Sequence, residues 1–145
     1  MKRWLKLLGL GCLIGVTSLS CKRILPMHPG FGIEIREKGG RHMFSFSNCL
    51  NDAPLPLDEV AIYEAGDGPK GLPAVCRLKS MNFGQRTLET WEYNTAPAGY
   101  YLAATCGALK REQTYDVQAT GSGVGIRRFQ LRKDGSVETL EPACK

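Results

Sequence analysis

From residue 31 onward, apolar and polar residues alternate in short runs separated by turn-forming residues. This is the period-two signature of strands, and almost no stretch has helical period. Ile33 and Ile35 alternate with Glu34 and Arg36, and Lys38-Gly39-Gly40 then turns into Met43, Phe44, Ser45 and Phe46, a hairpin signal. Val60, Ala61, Ile62 and Tyr63 form a third strand, followed by Val75–Lys79 and Thr87–Tyr93. Pro97-Ala98-Gly99 turns into Tyr100–Cys106. Tyr115, Val117 and Ala119 precede the glycine-rich Gly121–Gly125, and Ile126, Phe129 and Leu131 lead through Lys133-Asp134-Gly135-Ser136 to Val137 and Leu140. The expectation is an all-β, antiparallel β-sandwich of about eight or nine short strands, with a closed barrel as the alternative. Leu50–Glu59 has room for one helical turn, since Pro54 and Pro56 oppose anything longer.

The first thirty residues follow another plan. Lys2, Arg3 and Lys6 precede an apolar run from Leu7 to Val16, roughly ten residues long, which suits a signal h-region and is too short for a span. Small residues then lead to Cys21, and cleavage before it is expected. Residues 1–20 thus read as a signal peptide, 21–30 as a lipidated N-terminus and tether, and 31–145 as the β-sandwich domain. Ser18 and Ser20 also satisfy ordinary signal cleavage, whereas a lipobox usually carries leucine where Ser18 stands. Cysteine parity favours lipidation: modifying Cys21 leaves Cys49, Cys76, Cys106 and Cys144 to pair. By analogy with bacterial lipoproteins, Lys22 after the cysteine directs a periplasm-facing, lipid-anchored protein to the outer membrane.

Removing the signal changes the meaning of the charge. The whole chain is +5, but three of its cations leave with the signal, so the mature part is near neutral. Nucleic acid is therefore not an expected partner, and Arg127-Arg128 and Arg132-Lys133 read as a solvated strand face. The four remaining cysteines lack CxxC or Cys/His spacing, so two structural disulfides are expected rather than zinc or redox chemistry. Three connectivities are open; the shorter loops favour Cys49 with Cys76 and Cys106 with Cys144.

Groups able to perform catalysis together are scarce. His28 falls in the tether and His42 beside a Gly-Gly turn, and no serine stands in a G-x-S-x-G elbow. Glu89 and Glu92, three apart on a strand, would face opposite ways. Gly121-Ser122-Gly123-Val124-Gly125 lacks a P-loop lysine and reads as a flexible hairpin. Trp91 and Tyr93 share a face that serves the core, with a ligand surface as the alternative. The chain reads as a non-enzyme with no cofactor and no metal.

The signal, the size of the β-domain, Phe44-Ser-Phe-Ser-Asn-Cys49, Val60-Ala-Ile-Tyr63 and Pro97-Ala-Gly-Tyr-Tyr-Leu102 together resemble periplasmic lipoproteins that act as immunity proteins to type VI secretion effectors. The resemblance implies a protein that binds a secreted peptidoglycan hydrolase effector, a muramidase or amidase, and blocks it in the periplasm. A host-lysozyme inhibitor and a structural lipoprotein of an envelope assembly are the alternatives. Loops at the ends of a rigid sandwich commonly carry recognition. The candidate tips are Glu64–Lys70, Ser80–Arg86 and Gly121–Arg127, and the candidate contacts are Asp67, Lys79, Asn82, Arg86, Ser122 and Arg127.

Overall fold

The computed structural model describes residues 30–51, 53–66 and 73–144; the segment expected to be a signal peptide, Cys21, nearly all of the expected tether with His28, and Asp67 lie outside them. Among the described residues nine strands follow one another: β1 (Phe31–Lys38), β2 (Arg41–Asn48), β3 (Leu57–Glu64), β4 (Cys76–Ser80), β5 (Thr90–Glu92), β6 (Tyr100–Ala104), β7 (Thr114–Gly121), β8 (Val124–Leu131) and β9 (Val137–Thr139). They form two antiparallel sheets, β1-β2-β5 and β6-β4-β3-β7-β8-β9. Among the described residues between Leu50 and Glu59 no helical turn forms. Instead the Asn48 and Asn51 side chains accept from the Leu50 and Ala53 amides, competing with helix before β3 begins.

The hairpin β1–β2 turns on Gly39 and Gly40, both at positive φ (61° and 78°), the backbone that a two-residue turn needs to match strand twist. Alternation along β1, β2, β7 and β8 sends one set of side chains inward. Phe44 and Trp91 lie 5.3 Å apart, Phe44 and Phe129 5.9 Å, and Phe129 and Tyr115 5.5 Å, so one aromatic chain ties both sheets together. Trp91 Nε1 donates to the Thr95 carbonyl, which satisfies its only polar atom inside the core. The strand expected over Thr87–Tyr93 is shorter: β5 spans three residues and Glu89 precedes it, because residues 86–89 cross to the other sheet. There Leu57 donates to the Arg86 carbonyl, and Phe46 donates to the Glu89 carbonyl.

The disulfides join Cys49 to Cys144 and Cys76 to Cys106, which corrects the pairing favoured by loop length. Strand ends decide it. Cys49 follows β2 and donates its amide to Gly30, and Gly32 packs against both Cys49 and Cys144 sulfurs, so the chain's last residues close over the start of β1. Cys76 opens β4 beside β6, and the continuation of β6 folds back so that Gly107 donates to Val75. Cys49 and Cys76 thus belong to different sheets. Gly30, expected to be the end of the tether, forms a parallel bridge with Val124 and is part of the sandwich.

Candidate binding surface

At one end of the sandwich, the start of β3 stands between two turns. On one side is the β4-to-β5 loop, and on the other is the β7–β8 turn. Pro56 bridges to Thr87, Leu57 donates to Arg86, and Ser122 donates to Pro56, so all three segments are fastened to one another. The structure thereby brings Asn82 and Arg86 to the same end as Ser122. Ala65 and Gly66, which begin the third candidate loop, follow the opposite end of β3.

The loop from Ser80 to Arg86 is held at nearly every residue. Buried Ser80 donates through Oγ to the Asn82 carbonyl and accepts from the Asn82 amide (3.0 and 3.1 Å), a local serine turn. Met81 donates to Gly99 (2.9 Å), and the Gly84 amide, at φ 71°, donates to the Asp58 carboxylate (2.6 Å). The Tyr100 hydroxyl, buried beneath, lies 2.8 Å from the Leu57 carbonyl and 3.2 Å from that of Arg86, and donates to them. Burial pushes the Tyr100 phenol up to about 12, with the Asp58 charge adding to it and the Arg86 charge opposing it. The hydroxyl therefore stays a donor at every physiological pH.

On this fixed frame the apolar side chains point outward. Phe83 is 71% exposed and Met81 62%, the two highest values among the large hydrophobic side chains of the described residues. Tyr101 of β6, opposite Lys79, is 44% exposed on the adjoining outer sheet face. Lys79 forms an ion pair with Glu59 (3.3 Å), and Arg77 reaches the same carboxylate (3.3 Å). Lys79 is thus a strand residue on the rim with a partner already, rather than a free loop cation. Arg86 lays its guanidinium against Gly99, where a Cβ would come within 3.0 Å of Nε. Asn82 is exposed in the loop itself.

Arg127 is the clear departure. It is 8% exposed, on the inner face of β8 between Gly125 and Phe129, and donates through Nη1 to the Ile33 carbonyl on β1. Its Nε finds no hydrogen-bond partner among the described residues. The expected exposed contact is instead a buried cross-link between sheets, because β8 begins with the outward-facing Val124 and its odd-numbered residues point inward. The glycine-rich segment forms the β7–β8 hairpin turn, and packing accounts for its flanking glycines. A Cβ on Gly125 would collide with the Phe31 carbonyl, and one on Gly121 with the Pro56 carbonyl, so these glycines allow close backbone approach. Only Ser122 and Gly123 form the tip, and Ser122 is exposed.

The remaining candidates separate. His42 is half-buried beside the β1–β2 turn, its Nε2 without a partner among the described residues. A cleft near the end of β2 is bordered by Asn48 and Asn51, but the Asn48 amide donates to the Asn51 side-chain oxygen and to the Ala53 carbonyl. Sequence reasoning passed over Met81 and Phe83. The signal available was a pair of large apolar residues alternating with Ser80, Asn82 and Gly84 in a turn-forming stretch too short to be a strand. No protein family model, curated protein or solved structure matches the chain.

Proposed function

We propose that the chain is an exported, lipid-anchored immunity protein that binds a secreted cell-wall-degrading toxin, a muramidase or amidase, in the periplasm and blocks it. The observation that carries this reading is the Ser80–Arg86 loop, a convex, hydrogen-bonded element that holds apolar side chains in solvent at the end of a disulfide-closed sandwich. A rigid projecting loop loses little freedom on binding, which suits an inhibitor that fills a cleft. Two disulfides fit an oxidising compartment. The basic, apolar and small-residue layout that ends at Cys21 fits export with lipidation.

Deleting the gene tests the reading. Cells without it are expected to be lysed on contact with their parent strain, and a plasmid supplying the chain restores survival. A deletion strain that survives such contact unharmed would remove the basis for an immunity role.

A further inference from the structure

We infer that the outer face at the start of β8, Val124 and Ile126 with Leu140 beside them, is a lipid-docking patch that lays the sandwich against the membrane surface holding its N-terminus. The inference rests on lipidation of Cys21, a part of the proposed function separable from toxin binding, and adds how the domain meets the bilayer.

Val124 and Ile126 are 57% and 60% exposed, and Leu140 is 49% exposed. Across the ladder Val124 faces Thr120 and Ile126 faces Gln118, so neither has a charged cross-strand neighbour on β7. Leu140 donates its amide to the Arg128 carbonyl, which sets it beside the next outward position of β8. Arg128 is itself held by both oxygens of Asp116, at 2.7 and 2.9 Å. Glu141, which borders the cleft next to Val124 and Ile126, is already engaged.

What meets the patch follows from the chain that leads to it. Gly30 forms a parallel bridge with Val124, so close that an added Cβ would stand 3.5 Å from the Val124 carbonyl. Cys21 is nine residues earlier. Even fully extended, that length of chain reaches only about 30 Å, little more than the length of β8 itself. The start of β8 is therefore the part of the sandwich that cannot leave the neighbourhood of the bilayer, and a patch tied so closely to a surface meets it at high effective concentration. Aliphatic side chains gain by leaving water at the headgroup boundary, in proportion to the apolar area they bury there. The Ser80–Arg86 loop leaves β4, three strand spacings or about 14 Å from β8, and stays beside the lipid surface rather than beneath the patch.

The test uses the processed chain on vesicles of phosphatidylethanolamine and phosphatidylglycerol, with an environment-sensitive dye attached to Ile126→Cys. A second preparation carries the dye on Lys133→Cys, an exposed position in the turn at the other end of β8. The dye at position 126 is expected to shift to the blue and to lose about half its emission to nitroxide-labelled lipid, as at a depth of about 5–10 Å. The dye at position 133 is expected to do neither. Val124→Glu should return the dye at position 126 to its aqueous spectrum while the chain still floats with the vesicles and melts like the wild type. Flotation with the two dyes behaving alike would overturn the patch and leave the lipid anchor standing. A chain that does not float would overturn the anchor and the patch together, and inhibition of a hydrolase is measured apart from both.

Discussion

Two turns share one end of the sandwich and are built on opposite plans. The β7–β8 turn is short and its glycines carry nothing outward; Gly121 and Gly125 are there because β3 and β1 pass too close for a side chain. The Ser80–Arg86 loop has one glycine, at positive φ, and it projects the most exposed aromatic side chain of the described residues. One turn closes the two sheets, and the other displays. Glycine content alone would have ranked them the other way, since a run of glycines reads as flexibility until the neighbouring backbone is known.

The sharpest way to break the comparison is on the closing side. Removing Cys49–Cys144, which spans 95 residues, by a double alanine substitution is expected to cost about 4.7 kcal/mol by loop-closure entropy. Removing Cys76–Cys106, spanning 30, should cost about 3.6. Chemical denaturation of the two variants should therefore rank the closing bridge as the larger loss. Gly125→Val comes next: the new side chain meets the Phe31 carbonyl, and overpacking of this kind costs about 3 kcal/mol, measurable as a lower denaturation midpoint.

The display side should respond more weakly in stability. Tyr100→Phe removes the hydroxyl beneath the loop and is expected to cost about 1 kcal/mol, with faster amide exchange at Leu57 and Met81. Because the folded phenol is raised from 10.0 to about 12, its contribution is complete below pH 10 and is lost as pH rises through about 12. Tyr93, raised to about 12 chiefly by burial, loses stability in the same window, so Tyr100→Phe should reduce the alkaline sensitivity without abolishing it. Phe83→Ala is the smallest effect, within about 0.5 kcal/mol of wild type, since an exposed side chain away from the core contributes little to folding.

Much of the architecture was legible because alternation is local. The Gly39–Gly40 hairpin, the inward positions Tyr115, Val117 and Ala119, and the turns at Pro97-Ala98-Gly99 and Asp134-Gly135 depend on neighbours in sequence. What was misread depends on contacts remote in sequence. The disulfide partners follow from which strand ends meet. Arg127 lies inside because its position on β8 is inward, and charge gives no warning of this when a backbone carbonyl 94 residues away accepts the guanidinium. At the candidate surface, the search for polar and charged contacts singled out Arg86 and Asn82, which lie at that end of the sandwich, but passed over Phe83, because the sequence of a loop does not say whether an apolar side chain packs inward or stands in solvent.

The measurement that bears most directly on the account is a titration of the proposed target's peptidoglycan-hydrolysing activity with the purified, processed chain. Activity is expected to fall linearly to near zero at one equivalent. Undiminished hydrolysis in the presence of excess wild-type chain would contradict the proposal that this sandwich is an inhibitor.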